Sequence, residues 1–140
     1  MKYVVGLCFD ESMTSVVLIH KKTGPECVIG KLNGLGGKVE ESEDSLHAMV
    51  REFSEECGIL TKTSDWFNFL TIIHNEEPID FFCTKTQKVW QAITTESETI
   101  EIISVPDALS RDNLMPNLRW IISFLCDPSV VHYMGTIYYR

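Results

Sequence analysis

The sequence predicts a layered domain of the α+β or α/β type, and three observations carry that reading. Apolar, β-rich runs of five to nine residues recur along the chain. One segment in their midst has clear helical periodicity, and a second helix closes the pattern. The length, 140 residues, suits one domain and leaves no room for a second, so residues 1–140 are read as a single unit. Such a chain can bury enough surface to fold without disulfides or a structural metal.

The elements follow in order. Tyr3–Phe9 is apolar and β-rich, a first strand; Ser15–His20 (SVVLIH) is a second, after the turn-prone Asp10-Glu11-Ser12. Lys22-Thr23-Gly24-Pro25 is a turn, with Cys27–Ile29 a short return strand. Asn33-Gly34-Leu35-Gly36-Gly37 holds three glycines in five residues. It reads as a loop, where the backbone turns tightly or approaches another group closely. Residues 44–57 form the strongest helix, with Leu46, Val50, Phe53 and Cys57 on one apolar stripe. Ser42, with Glu43 and Asp44 after it, supplies capping and first-turn acids, and Gly58 stops the helix. Strands are expected at Trp66–His74, Ile79–Thr84, Val89–Thr94 and Ile100–Val105. Pro106–Leu109 is one helical turn, Asn117–Leu125 a closing helix after Pro116, and Val130–Tyr139 an aromatic, β-prone tail.

Composition narrows the class of partner. Hydrophobic residues make up 44% and charged residues 23%, values of a globular chain. Twenty Asp and Glu face twelve Lys and Arg, a formal charge of −8. That argues against a basic face for duplex nucleic acid or an anionic membrane. No apolar run reaches membrane-spanning length, and the first residues read as a strand and not a signal peptide. The five cysteines are scattered with no CxxC pair, so they read as buried free thiols of a cytoplasmic protein and not as a zinc site.

The chemistry concentrates in GGKVEESEDSLHAMVREFSEECGI, residues 36–59. At 100° per residue, Glu52, Glu55 and Glu56 fall within about 100° of arc on the helix. Carboxylates so crowded repel by ~1 kcal/mol or more per close pair where water is partly excluded. Arg51 is the only nearby cation in the helix. A solvated acidic face is one reading. A bound divalent cation is the other, and all-oxygen donors suit Mg²⁺ or Mn²⁺ and not zinc. The glycine loop just before the helix can offer carbonyls to a metal and N–H groups to phosphate.

These residues resemble the Nudix hydrolase signature, G-x5-E-x7-R-E-U-x-E-E-x-G-U with U a bulky apolar residue. Gly37, Glu43, Arg51, Glu52, Phe53, Glu55, Glu56, Gly58 and Ile59 match it at every fixed place. The resemblance implies the Nudix fold, an α/β/α sandwich with a mixed sheet flanked by helices. It implies Glu52, Glu55 and Glu56 as ligands of Mg²⁺ (or Mn²⁺), joined by the carbonyl of Gly36, with Glu55 and Glu56 at the catalytic centre. Glu43 and Arg51 pair to hold the geometry. The implied reaction is hydrolysis of a nucleoside diphosphate linked to a group X, with a small nucleotide as partner. A general base for the attacking water can lie outside the signature; Glu98 and Glu101 are the candidates, and Glu101 is similar in placement to a metal-linked glutamate of MutT-type members. The bland alternative for either is an exposed strand carboxylate.

The run Asn33-Gly34-Leu35-Gly36-Gly37-Lys38 is similar to the branch that hydrolyses oxidised purine nucleoside triphosphates. In that branch the matching asparagine touches the base, which makes Asn33 a candidate; Lys22 matches a phosphate-meeting lysine or is a solvated turn residue. Lys38 is a further substrate-binding candidate. Asn117, at the start of the last helix, either reads a purine edge with its amide or caps that helix after Pro116. Trp120 and Phe81-Phe82 could stack on a base, though large apolar side chains more often form core. The chain departs from that branch in lacking paired acids after Pro116, and His20, His47, His74 and His132 carry no motif. The leading expectation is therefore a nucleoside triphosphate pyrophosphohydrolase releasing monophosphate and pyrophosphate, as a monomer or homodimer. The alternatives are a pyrophosphatase for ADP-ribose, dinucleoside polyphosphates or capped RNA, and a non-catalytic nucleotide sensor. Residues 36–58 hold seven acids against Lys38 and Arg51, so most of the negative charge sits in the signature itself.

Overall fold

The computed structural model describes residues 1–131 and 134–139. An eight-stranded mixed sheet is its frame, with helices on both faces. Its strands are β1 (Tyr3–Phe9), β2 (Ser15–His20), β3 (Leu32–Asn33), β4 (Leu35–Lys38), β5 (Phe67–His74), β6 (Glu77–Lys85), β7 (Ile100–Ser104) and β8 (Gly135–Tyr139). The main path runs β3-β2-β1-β6-β5-β8, with β4 also on β1 and β7 also on β2. β1 and β6 are parallel from Tyr3↔Ile79 to Phe9↔Lys85, and β5 and β8 are parallel; the other pairs are antiparallel.

Strand alternation divides the core in two. From β1, β2 and β6, the side chains of Leu7, Phe9, Val16, Leu18 and Phe81 enter one cluster. There they meet α2 (Val105–Ser110) and α3 (Pro116–Leu125) through Ala108, Leu118, Ile121 and Ile122. Val4, Cys8, Val17, Ile19 and Phe82 enter the other, against Ala48, Met49, Phe53 and Cys57 of α1 (Ser45–Cys57). Phe81 and Phe82 are thus core residues on opposite faces, 2% and 3% exposed. Near-complete burial of a Phe stabilises by roughly 1.5–3 kcal/mol, so successive residues anchor both layers. The α/β/α order expected from the resemblance is what the chain adopts.

The strands of the sequence reading recur within one or two residues at β1, β2, β5, β6 and β7, and α2 and α3 form where expected. Several local expectations are corrected. Cys27–Ile29 is not a strand; Val28 N–H to Pro25 and Lys31 N–H to Val28 close successive turns there. Val89–Thr94 is not one either. Gln87–Gln91 is a short 3-10 helix, started by the Thr86 hydroxyl on Lys88 N–H, with Val89 buried beneath it. The glycine run is not a plain loop: Leu35–Lys38 pairs with Tyr3–Gly6 of β1, because missing side chains let the two backbones close up. The tail forms β8 at its end, and positions 132 and 133, His132 among them, lie outside the described residues. Cys27 is exposed and Cys83 and Cys126 are half-buried, while Cys8 and Cys57 are buried.

Helix α1 is shifted in cap and in face. Its cap is Asp44, whose Oδ1 accepts from His47 N–H at 2.8 Å, and not Ser42; Glu43 lies before the helix. Its buried row is Met49, Phe53 and Cys57 with Ala48, while Leu46 and Val50 are only half-buried. Phe53 fixes that row through an edge contact with Trp66, ring centroids 5.0 Å apart. The turn brings Glu56 onto the buried face. Gly58 ends the helix in the left-handed region, φ 78°, its N–H returning to Ser54.

Candidate active site

Strand β4 and helix α1 meet along two contacts. The N–H of Gly36 donates to Glu56 Oε1 at 2.8 Å. A side-chain carbon on Gly37 would fall 2.5 Å from Glu52 Oε1, so with glycine there the strand lies directly against that carboxylate. Glu56 is 4% exposed, and its Oε2 is buried with no hydrogen-bond partner. Burial pushes its carboxyl up to about 8, with the neighbouring Glu52 and Glu98 adding to the rise and Gly36 N–H and Lys21 opposing it. Burial likewise raises Glu52, aided by Glu55 and Glu96 and opposed by Arg51.

Arg51 braces the cluster. Its Nε donates to both oxygens of Glu43 at 3.2 and 3.1 Å, and its Nη2 to Glu43 Oε1 at 2.6 Å and to the Lys38 carbonyl at 3.1 Å. Its Nη1 reaches Glu52 at 2.9 Å and Glu55 at 3.1 Å. Glu43 also accepts from Glu40 N–H at 3.0 Å. Hydrogen bonds from Arg51 hold the Glu43 carboxyl below its usual range. One guanidinium thereby joins the chain before α1, strand β4 and two of the three helix glutamates.

A cavity of about 880 Å³ borders the same glycines. Gly36 and Gly37 form part of its wall with Asn33, Lys21, Asn117 and Trp120. Asn117 Oδ1 is buried and unpartnered, and no side-chain cap bond forms at α3. Phe81 and Trp120 both line the cavity, and of the two Trp120, 38% exposed against 2%, is the one with an open ring face. The other expected residues are placed elsewhere. Lys22 is outside the cavity, its Nζ on the Ser97 carbonyl at 2.8 Å, whereas its neighbour Lys21 lines it. Lys38 borders a separate cavity of about 740 Å³ beside Lys2, Glu40, Glu41 and Glu52.

The two base candidates are both engaged. Glu101 lies on the α2 side of β7, sharing the face of Ile103, in an ion pair with Arg111 at 3.0 Å and with His20 Nε2 3.8 Å away. The structure does not bring it to the α1 glutamates. Glu98 accepts from Lys21 Nζ at 2.9 Å, Lys22 N–H at 2.6 Å and Thr23 N–H at 3.2 Å. Burial raises its carboxyl, but these donors outweigh that and hold it below the usual range. Sequence reasoning missed Lys21 and Glu96. The signal for Glu96 was its place in the acidic run Glu96, Glu98, Glu101; for Lys21, that it ends an alternating strand one residue before the lysine chosen.

The donor set is carboxylate and carbonyl oxygen, the chemistry of a hard divalent cation. Among the described residues no three His, Cys, Asp or Glu side chains converge as a ready ligand set. The buried, unpartnered Glu56 Oε2 and the side-chain-free cradle at Gly37 are what a cation would occupy and complete, so the residues fit one.

Residues 2–121 match the NUDIX domain, so the chain belongs to the Nudix family, whose members typically depend on a divalent metal. It is 38% identical over 55 residues to an 8-oxo-dGTP diphosphatase of Buchnera aphidicola subsp. Acyrthosiphon pisum (strain APS), a match spanning 38% of this chain and 44% of that protein. Two solved structures share the fold. The MutT protein of Bacillus halodurans superposes with TM-score 0.68 at 20% identity, over 99% of this chain and 90% of that one. The NUDIX domain of Shewanella oneidensis NrtR, complexed with ADP ribose, gives 0.70 at 16% identity, over 86% and 83%. No helix among the described residues is long and apolar enough to cross a membrane.

Proposed function

We propose that this chain hydrolyses a nucleoside triphosphate, canonical or oxidised, to the monophosphate and pyrophosphate with Mg²⁺ or Mn²⁺ as cofactor. One observation carries the reading: Gly36 and Gly37 wall the large cavity and also touch Glu56 and Glu52. A nucleotide seated in the cavity therefore has its phosphate chain against the strand that holds the carboxylates. The partial match to an 8-oxo-dGTP diphosphatase supports a triphosphate of this kind.

Glu52, Glu55 and Glu56, with the Gly36 carbonyl, would hold the cation, which supplies charge neutralisation at the phosphates and an activated water. Glu43 and Arg51 hold Glu52 and Glu55 beside β4, where these carboxylates would be available to a cation. Gly36 N–H fixes one oxygen of Glu56 and leaves the other free to bind. Lys21 places a positive charge at the cavity wall. Asn33 and Asn117 meet the base, and the unpartnered Asn117 Oδ1 accepts from a purine N–H. Trp120 offers a stacking face.

The test is a panel of canonical and 8-oxo nucleoside triphosphates, ADP-ribose and dinucleoside polyphosphates, compared by kcat/KM with Mg²⁺ and with chelator. A triphosphate preferred over the other classes, inactive in chelator and restored by Mg²⁺ or Mn²⁺, is expected. Preference for ADP-ribose or a dinucleoside polyphosphate refutes the substrate; turnover that survives chelation refutes the metal assignment.

A further inference from the structure

The segment 22–30, between β2 and β3, walls the large cavity through Thr23, Gly24, Pro25, Cys27 and Val28. Apolar packing does little to hold it, since Val28 is half-buried and the rest of the segment is exposed. Its ends meet at Lys21, whose N–H donates to the Lys31 carbonyl at 2.9 Å and whose carbonyl accepts from Gly30 N–H at 2.8 Å. Above that neck Lys22 Nζ reaches the Ser97 carbonyl at 2.8 Å, and the main restraint comes from Glu98. This carboxylate is 8% exposed and takes donors from three successive residues: Lys21 Nζ on Oε1, and Lys22 and Thr23 N–H on Oε2. Charge-assisted bonds of this kind are roughly twice as strong as neutral ones. The segment that carries Glu98 is itself fastened to the end of α1. The Thr95 hydroxyl donates to the Glu55 carbonyl, and Ile93 N–H to the Cys57 carbonyl at 3.1 Å.

We propose that Glu98 is a positioning residue, a latch that ties the 22–30 segment to the glutamate end of α1 and so sets nucleotide affinity, taking no part in proton transfer. Both of its oxygens are held by the segment, Oε1 by the Lys21 ammonium and Oε2 by two backbone N–H groups, so the carboxylate is already bonded at each end. When the latch opens, the wall loses its fixed place, and Lys21 loses the carboxylate that holds its ammonium beside the cavity. Affinity then falls in proportion to the fraction of molecules with the wall in place. The proposal rests on the nucleotide reading of the cavity, and its test separates the two.

Glu98→Gln keeps the shape and removes the charge. Amide hydrogen exchange on the ligand-free protein is expected to speed up about 10-fold or more across 22–30, with α1 and the β5–β6 pair keeping wild-type protection. With the best triphosphate of the panel and Mg²⁺, KM is expected to rise about 10-fold while kcat stays within about 3-fold. Glu98→Asp, which keeps the charge on a shorter arm, is expected to give the same signs at smaller size. A fall in kcat at unchanged KM assigns Glu98 to the chemistry and overturns the latch. Wild-type exchange in both variants overturns it too. If the wild type cleaves none of the panel, faster exchange at 22–30 upholds the latch while the nucleotide reading fails.

Discussion

Gly36→Ala probes the joint on which the candidate site is built. Gly36 has φ +157°, and a side-chain carbon there would lie 1.9 Å from the Val4 carbonyl oxygen and 2.7 Å from its carbon. Such contacts essentially never fall below 3.0 Å, so β4 must back away from β1 by at least about 1 Å. Val4 cannot yield, because β1 is held on its other side by β6 along its whole length. A shift of that size is enough to break the 2.8 Å bond from Gly36 N–H to Glu56. A buried carboxyl left without that partner costs ~1–3 kcal/mol, and a weakened strand pair adds ~1 kcal/mol. The sum, about 3 kcal/mol, corresponds to a fall of roughly 10 °C in Tm for a chain of this size. Gly30→Ala is the control: φ is +78° with nothing within 4 Å of the new carbon, so only backbone strain of ~1–2 kcal/mol remains. Thermal unfolding of both variants is the assay. A Gly36→Ala protein that melts no lower than Gly30→Ala would refute the claim that close approach, and not conformational freedom, demands glycine at 36.

Other consequences follow from the same contacts. Glu56→Gln keeps an acceptor for Gly36 N–H and takes away only a carboxyl whose charged form burial already disfavours, so Tm is expected to hold or rise while triphosphate hydrolysis is lost; a drop in Tm with activity intact contradicts the assignment. Arg51→Lys cannot reproduce the fork on Glu43 with its side contacts to Glu52 and the Lys38 carbonyl, and should cost ~2–3 kcal/mol by urea unfolding, nearly as much as Arg51→Ala. Asp80 is 7% exposed and pairs with Lys2 at 2.9 Å and Thr71 at 2.7 Å. Burial raises its carboxyl, but these partners outweigh that and lower it. A depressed folded value means stability that is present above the unfolded value, about 4, and is lost as pH falls through the folded one. Asp80→Asn should therefore be less stable than wild type at pH 7 and approach it at about pH 3 in urea midpoints; a gap that stays constant with pH would count against the ion pair.

The sequence was most legible where one local rule acts alone. The strands buried on both faces read correctly because a short continuous apolar, β-branched run marks them, as in Ser15–His20. Helical spacing anticipated that Glu52 and Glu55 sit side by side, where they share Arg51, while Glu56 turns to the buried face against Gly36. Errors arose where a tertiary partner overrode a local cue. Glycine-rich Leu35–Lys38 became a strand because β1 offered backbone pairing, which composition cannot show. Val89–Thr94 has strand composition, yet Thr86 and Cys57 draw its neighbours into a 3-10 helix and a return to α1. Leu46 and Val50 have the apolar character of a buried stripe, but the row bearing Met49 faces the sheet instead. Lys22 and Lys21 differ by one position at a strand end, and only the fold shows which one turns to the cavity.

The place of β1 also has a consequence for the timing of synthesis. The first of the eight described strands to be made is an inner strand of the sheet, with β2 and β4 on one edge and β6 on the other. Its parallel partner ends at Lys85, so Phe9 waits for 76 more residues before that edge can be covered. At ribosomal speeds of ~5–20 residues per second, that is roughly 4–15 s during which an apolar strand stands open on the nascent chain. The hairpin with β2 is available at once but covers only Cys8 and Phe9. The β6 edge of β1 therefore stays open even after the segment that supplies the candidate catalytic residues has been made.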